Sequence, residues 1–201
     1  MVGILSILEE IKVEKVVITK QIEDSSNYKE FIKKVKEKRL NVIMVEKGDR
    51  LKIEKDLYFN ILWPGNEQIE ENALNNNAMV MKMNYLRFSM LFTGDIEKIA
   101  EEEILEEYKN KENILQAKIL KVAHHGSKTS STKEFIETVN PQIAVIGVGK
   151  NNLFKHPSEE VIKRLEEHNI KIYRTDQNGE ISFLVDKKGR IVKNTVQLKN
   201  W

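Results

Sequence analysis

The chain has 201 residues, 40% hydrophobic and 32% charged, with 33 basic side chains against 31 acidic and no cysteine. This is long enough for one domain with a sizeable core, and a net charge of +2 describes a mixed surface rather than a dedicated polyanion binder, with room for a local basic groove. Without cysteine, disulfides and thiolate metal sites are excluded, so a metal would be held by His, Asp, Glu or Asn; no apolar run nears the roughly 18–20 residues of a membrane span, and no signal-type leader opens the chain.

In chain order, Ile4, Leu5, Ile7, Leu8 and Ile11 fall at helical spacing, and Val13 to Thr19 reads as a short buried strand. Asp24-Ser25-Ser26 supplies helix-start chemistry for 27–38, where Phe31, Ile32 and Val35 share one face. Strands follow at 40–45, 51–53 and 58–62, the last closed by Pro64-Gly65. Residues 66–77 are polar and rich in asparagine, and read as a long loop. Two strands, 78–83 and 87–92, are joined at Asn84-Tyr85-Leu86, and a glutamate-rich helix follows Asp95 as far as Tyr108.

Ile119 to Val122 is a strand that ends in His124-His125-Gly126-Ser127. Ser131 and Glu134 have capping-box spacing at the head of the next helix. A strand at 143–148, a helix at 159–168 introduced by Pro157-Ser158, and a strand at 170–173 complete an alternating half. Asn178-Gly179 reads as a turn before a closing hairpin from about Ile181 to Val196. Meandering strands followed by alternating strands and helices suit a sheet sandwich with helices on its outer faces, in one α/β domain over 1–201.

Three polar clusters each follow an apolar strand: Thr93-Gly94-Asp95, His124-His125-Gly126-Ser127 and Lys155-His156-Pro157-Ser158. Each has a bland reading. Asp95 can cap a helix, the histidine pair can open a polar loop on a permissive glycine, and His156 can be an ordinary helix entry. His168, late on a charged helix, reads as surface beside the C-terminal dipole. In combination, one carboxylate and three imidazoles on strand-end loops form a donor set for Zn²⁺, Mn²⁺ or Fe. In a two-metal hydrolase a bridging aspartate holds both ions, which acidify a bound water and clamp the charged transition state.

The segments "LRFSMLFTGDIEKIAEEEIL", "LQAKILKVAHHGSKTSS" and "KHPSEEVIKRLEEHNIKIYRTDQNGEISF", in this order and spacing, resemble the metallo-β-lactamase-like domain of ComEC-type competence proteins. The opening "MVGILSILEEIKVEKVVI" resembles the helix and strand after that domain's first metal motif, and Asn75-Asn76-Asn77 resembles its asparagine stretch, although Ala78 stands where the family more often has Ser. The resemblance implies an αββα sandwich, a two-metal Zn or Mn site, and phosphodiesterase or nuclease action on DNA, single-stranded DNA or another phosphodiester. It makes Asp95 the bridging carboxylate and a catalytic residue. His124 and His125 stand in the site wall as metal candidates, with His125 favoured as the inward, catalytic one. His156 is a candidate last ligand, and Ser127 and Lys128 lie near a phosphate. Arg174, Thr175 and Asp176 resemble a structural segment before the last strands.

The family's first motif, of the form His-x-(His/Asp)-x-Asp-His, directly precedes the opening helix and does not occur in these 201 residues. The expectation is therefore a domain incomplete at its N-terminus, missing its opening strands and most ligands of the first metal, with metal binding weakened or lost. Two alternatives to a hydrolase follow: a non-catalytic module that binds DNA or a partner beside a membrane channel, and an inactive fragment of a DNA-uptake protein. If part of a full competence protein, the domain would be extracytoplasmic and membrane-associated. No Rossmann or P-loop fingerprint supports a nucleotide cofactor.

Overall fold

The computed structural model describes residues 2–21 and 23–196, which divide into two compact units, Met1–Glu46 and Lys47–Trp201. The first contains helix α1 (Val2–Glu10), strand β1 (Lys15–Ile18), helix α2 (Ser26–Glu37) and strand β2 (Asn41–Met44), with β1 and β2 paired in parallel. The hydroxyl of Ser25 accepts the Tyr28 N–H and starts α2, whose Phe31 and Val35 meet Leu8 in a small core. The elements fall where the apolar spacing puts them, but β1 is not the buried strand expected: its residues alternate exposed and half-buried, with Val17 among the exposed ones.

The second unit is organised by a seven-stranded mixed sheet in the order β3-β4-β5-β6-β7-β8-β9. Its strands are β3 (Arg50–Glu54), β4 (Leu57–Trp63), β5 (Val80–Tyr85), β6 (Phe88–Phe92), β7 (Ile119–Lys121), β8 (Ile143–Ile146) and β9 (Lys171–Arg174). β3 to β6 pair antiparallel, and β6 to β9 pair in parallel. The parallel strands are connected through helices α4 (Lys98–Tyr108), α5 (Lys133–Val139) and α6 (Glu159–Glu167), as parallel crossovers require.

Register explains the burial. Leu91, Leu120, Ala144 and Ile172 lie in one row across the parallel strands. This row joins Ile96, Ala100 and Ile104 at α4, Phe135 and Val139 of α5, and Val161 and Leu165 of α6 in two apolar clusters. On the adjacent row, Tyr173 meets Phe183 edge-on with centroids 6.2 Å apart. Phe183 belongs to the hairpin β10 (Glu180–Val185) and β11 (Ile191–Val196). The observed class is α/β with a large mixed sheet. Among the described residues, no helix is long and apolar enough to cross a membrane.

Three local expectations are corrected. The 66–77 segment carries a short helix, α3 (Ala73–Asn76), because buried side chains hold it: Asn76 donates to the Glu71 carbonyl, and Asn77 bonds both backbone groups of Ile69. Asn178-Gly179 is the end of a second short helix, α7 (Thr175–Asn178), rather than a free turn. The cap of α5 is Thr132, whose hydroxyl accepts the Phe135 N–H; Ser131 is diverted to a left-handed φ of 54° while its N–H is donated to buried Glu101.

Candidate functional site

Because β6 to β9 run parallel, their C-terminal ends lie on one edge of the sheet and deliver consecutive loops to the same place, as open α/β sheets commonly do. Thr93 ends the first of these strands and joins it to the next, its buried hydroxyl donating to the Lys121 carbonyl at 2.6 Å. Gly94 then turns with φ 55°, and a Cβ there would stand 2.9 Å from the Ala78 Cβ. Asp95 follows, two residues before Glu97, which occupies the α4 cap position.

The next loop is strained. His124 (φ 46°, ψ 43°), His125 (φ 54°, ψ 19°) and Gly126 (φ 84°) take left-handed backbone in succession. Non-glycine residues in this region cost about 1–3 kcal/mol each, and such strain persists only where the surroundings over-determine it. Here the His124 N–H is donated to the Gly94 carbonyl at 3.1 Å, the Ser127 N–H to the His124 carbonyl at 2.9 Å, and the Ser158 N–H to the Gly126 carbonyl at 2.9 Å. A Cβ on Gly126 would lie 2.5 Å from the Pro157 Cβ, so this loop and the His156-Pro157 loop are packed backbone to ring.

The strain points the two imidazoles different ways. The Nδ1 of His125 lies 2.6 Å from the Gly147 carbonyl oxygen, which can only accept, so Nδ1 is the donor and the ring is held by that contact. The His125 Nε2 lies 3.8 Å from Asp95 Oδ1. At this spacing the two atoms do not hydrogen-bond to each other, and both belong to groups that can ligate a cation. His124 turns instead toward Glu97, with Nδ1 3.2 Å from Oε1, and toward His156, with ring centroids 5.7 Å apart. The approach to Glu97 is too poorly aligned for a hydrogen bond, so His124 Nδ1 is buried and unbonded. The His156 imidazole has its pKa lowered, first by burial and then by the neighbouring His124 and His125.

His125 and His156 line one cleft of about 360 Å³ with Gly147, Asn152 and Phe154. Asp95 is outside that lining but beside His125. Ser127 is buried, and its hydroxyl is engaged with Thr129 Oγ1 at 2.9 Å. Lys128 is exposed on a second cleft of about 540 Å³, with Glu97, Lys98, Thr129 and Arg164. His168 caps α6, its Nδ1 2.7 Å from the Arg164 carbonyl and its Nε2 3.2 Å from Glu137. Thr175 bonds both backbone groups of Val148, and Arg174 pairs with Asp176.

Sequence reasoning did not single out Glu97, Glu101 or Lys121. Glu97 is held by the Thr129 hydroxyl and the Asn72 amide, directly beside His124. Glu101 is fully buried and accepts the Ser131 and Thr132 N–H groups at 2.5 and 2.7 Å, while Arg164 donates to the Ser130 and Ser131 carbonyls; together they fix the segment after the strained turn. Lys121 is largely withdrawn from water, which lowers its pKa, with Asp95 opposing that shift. The only sequence signal for Glu97 was its place two residues after Asp95.

Among the described residues, no three or more His, Asp or Glu side chains converge to hold an ion. The donors come as an Asp95–His125 pair and a separate His124–Glu97 contact. These side chains alone therefore do not fit a complete metal centre.

No family model matches the chain. It is 37% identical over 177 residues to ComE operon protein 3 of Bacillus subtilis, covering 88% of this chain and 22% of that protein. It is 35% identical over 115 residues to competence protein ComA of Neisseria gonorrhoeae, covering 57% and 16%. A crystal structure bearing the name metal-dependent hydrolase, from Parabacteroides distasonis, aligns over 84% of this chain and 79% of its own with a TM-score of 0.49 and 10% identity. The mixed sheet with its loops gathered at one edge places the chain among α/β domains. Within that class, by its sequence relatives, it is a domain of the ComEC-type competence family. The chain spans about a fifth of the length of the curated relatives it matches.

Proposed function

We propose that this domain supplies one wall of a metal-dependent phosphodiesterase site that acts on DNA, within a longer competence-type protein. The observation that carries the reading is the Asp95–His125 pair: a carboxyl oxygen and an imidazole nitrogen 3.8 Å apart, the ring oriented by a backbone carbonyl. Metal-ligating histidines are commonly oriented through their other nitrogen in this way. Asp95, His124, His125 and His156 are the metal candidates, Asp95 and His125 are also the catalytic candidates, and Lys128 on the second cleft is the candidate for a phosphate contact, the Ser127 hydroxyl being engaged by Thr129. Zn²⁺ or Mn²⁺ suits these donors. The shell is completed by donors outside the described set, and membrane association belongs to other parts of the longer protein.

The test is metal content and hydrolysis of single-stranded DNA or a chromogenic phosphodiester, on the 201-residue chain and on the chain joined to the remainder of its protein. The expected result is about two ions per complete protein, divalent-metal-dependent turnover, and a fall of at least about 100-fold for Asp95→Asn. Absence of turnover with every divalent metal in both forms would defeat the proposal. The lack of three converging donors among the described residues favours a second reading, a non-catalytic DNA-binding module. Retained DNA binding with no bound ion in the complete protein selects it.

A further inference from the structure

The loop after β8 has a shape that the metal-site reading does not use. Over Gly147 to Ser158 the sequence has no acidic residue and two lysines, Lys150 and Lys155. In its middle, Leu153 is 93% exposed and Phe154 is 79% exposed. Leaving a Phe side chain in water forgoes the stabilisation that its burial would bring. The loop is nevertheless well tied: the Asn152 amide donates to the Gly149 and His156 carbonyls, and its oxygen accepts the His156 N–H at 2.8 Å. The Phe154 ring lies nearly parallel to His156, 17° apart with centroids at 5.8 Å, at the cleft that also holds His125. Most of the aromatic surface is thus presented to solvent by a fixed backbone, beside the proposed reaction site, in a loop that carries two lysines.

We infer that Phe154, backed by His156 and flanked by Lys150 and Lys155, is a stacking platform for an unpaired nucleobase. This inference rests on the proposed DNA-directed reading and narrows it to single strands. An aromatic ring offers its face to any base that is free to leave its own stack, and flanking lysines meet the phosphates on either side. In a duplex the base faces are already occupied, so the platform discriminates by strandedness rather than by sequence. Phe154 is then a substrate-positioning residue, with no part in bond cleavage.

The experiment measures binding of the 201-residue chain, at low salt, to a fluorescent 15-mer of thymidylate and to an abasic deoxyribose-phosphate 15-mer of equal charge. The intact strand should bind about tenfold more tightly than the abasic one. Phe154→Ala should erase that difference while leaving abasic binding unchanged, and Phe154→Trp should restore it, with indole fluorescence quenched on binding. Circular dichroism of each variant controls for folding. Equal affinity of the wild type for both strands would overturn the platform and leave the DNA-directed reading standing. Failure to bind either strand, with or without Mn²⁺, removes both. Binding to 3:1 phosphatidylcholine–phosphatidylglycerol vesicles that depends on Phe154, with no base-dependent term, would instead make the loop a lipid contact and overturn the inference.

Discussion

From β3 to β6 the strands are antiparallel, and two of their connections are tight turns at Lys55-Asp56 and Leu86-Arg87; from β6 to β9 they are parallel and cross over through helices. Both halves contain left-handed residues. In the antiparallel half, Asp56 (φ 68°) and Leu86 (φ 53°) reverse hairpins, where such conformations are ordinary. In the parallel half, His124 and His125 spend the same conformation on aiming two imidazoles from adjacent positions in different directions. Antiparallel strands send successive loops to opposite edges, whereas parallel strands send all of theirs to one. Loops distant in sequence are therefore gathered at one edge on the parallel side, and the strain at His124 and His125 serves placement rather than chain reversal.

The sharpest way to break this contrast is to add one methyl group in each half. Gly126→Ala places a Cβ 2.5 Å from the Pro157 Cβ and 3.1 Å from its Cα, at φ 84°. Strain and overpacking together should cost roughly 3–5 kcal/mol, read as a lower urea midpoint. Gly48→Ala, before β3, is also at positive φ (99°) but has nothing within 4 Å of the added atom. It should cost only about 1–2 kcal/mol. If the two losses are equal, packing between the histidine loops contributes nothing, and the over-determination of the strained turn is refuted.

Glu101 supports the parallel half from beneath. Glu101→Ala strands the Ser131 and Thr132 N–H groups in a buried place, for a loss of about 2–4 kcal/mol in denaturant unfolding. Burial raises its pKa, against the pull of those N–H groups and of Arg164. A carboxyl that holds its proton more tightly when folded makes the folded state less stable as pH rises through the window from the ordinary value of 4.5 up to the raised one. Unfolding free energy should therefore slope downward with pH across that window, and the slope should vanish in Glu101→Gln. An upward slope from this residue would show that the hydrogen bonds outweigh burial.

The elements were legible because apolar periodicity and caps are local: the Ser25 cap, the row of Leu91, Leu120 and Ala144, and the α6 face of Val161 and Leu165 all follow from neighbours in sequence. The three site loops were legible as polar clusters after strands. What could not be read was the direction of each side chain, since His124 and His125 diverge through left-handed backbone that no sequence periodicity encodes. The polar anchors escaped for a similar reason. Glu101 looked like one more acid on a glutamate-rich helix, and Asn76 and Asn77 looked like loop; their burial is decided by partners 30 and 8 residues away, respectively, in the case of Ser131 for Glu101 and Ile69 for Asn77. Ser131, with the spacing of a cap, lost that role to Thr132 because its backbone N–H was already claimed.

The smallest expected effect lies at the far end of α4. Glu107 is paired with Lys111 and Lys47, which hold its pKa down at about 2. Lowered in the folded state, it contributes stability that is present above its ordinary value of 4.5 and lost as pH falls toward about 2, the opposite sign to Glu101. Both partners are partly solvated, and surface pairs of this kind are weak and screened by salt. Glu107→Gln should therefore lower the midpoint of unfolding only slightly at neutral pH, and molar salt should abolish the difference. A salt-resistant loss comparable to that of Glu101→Ala would mean that the polar framework is not confined to the parallel strands, and the division between the two halves of the sheet would have to be redrawn.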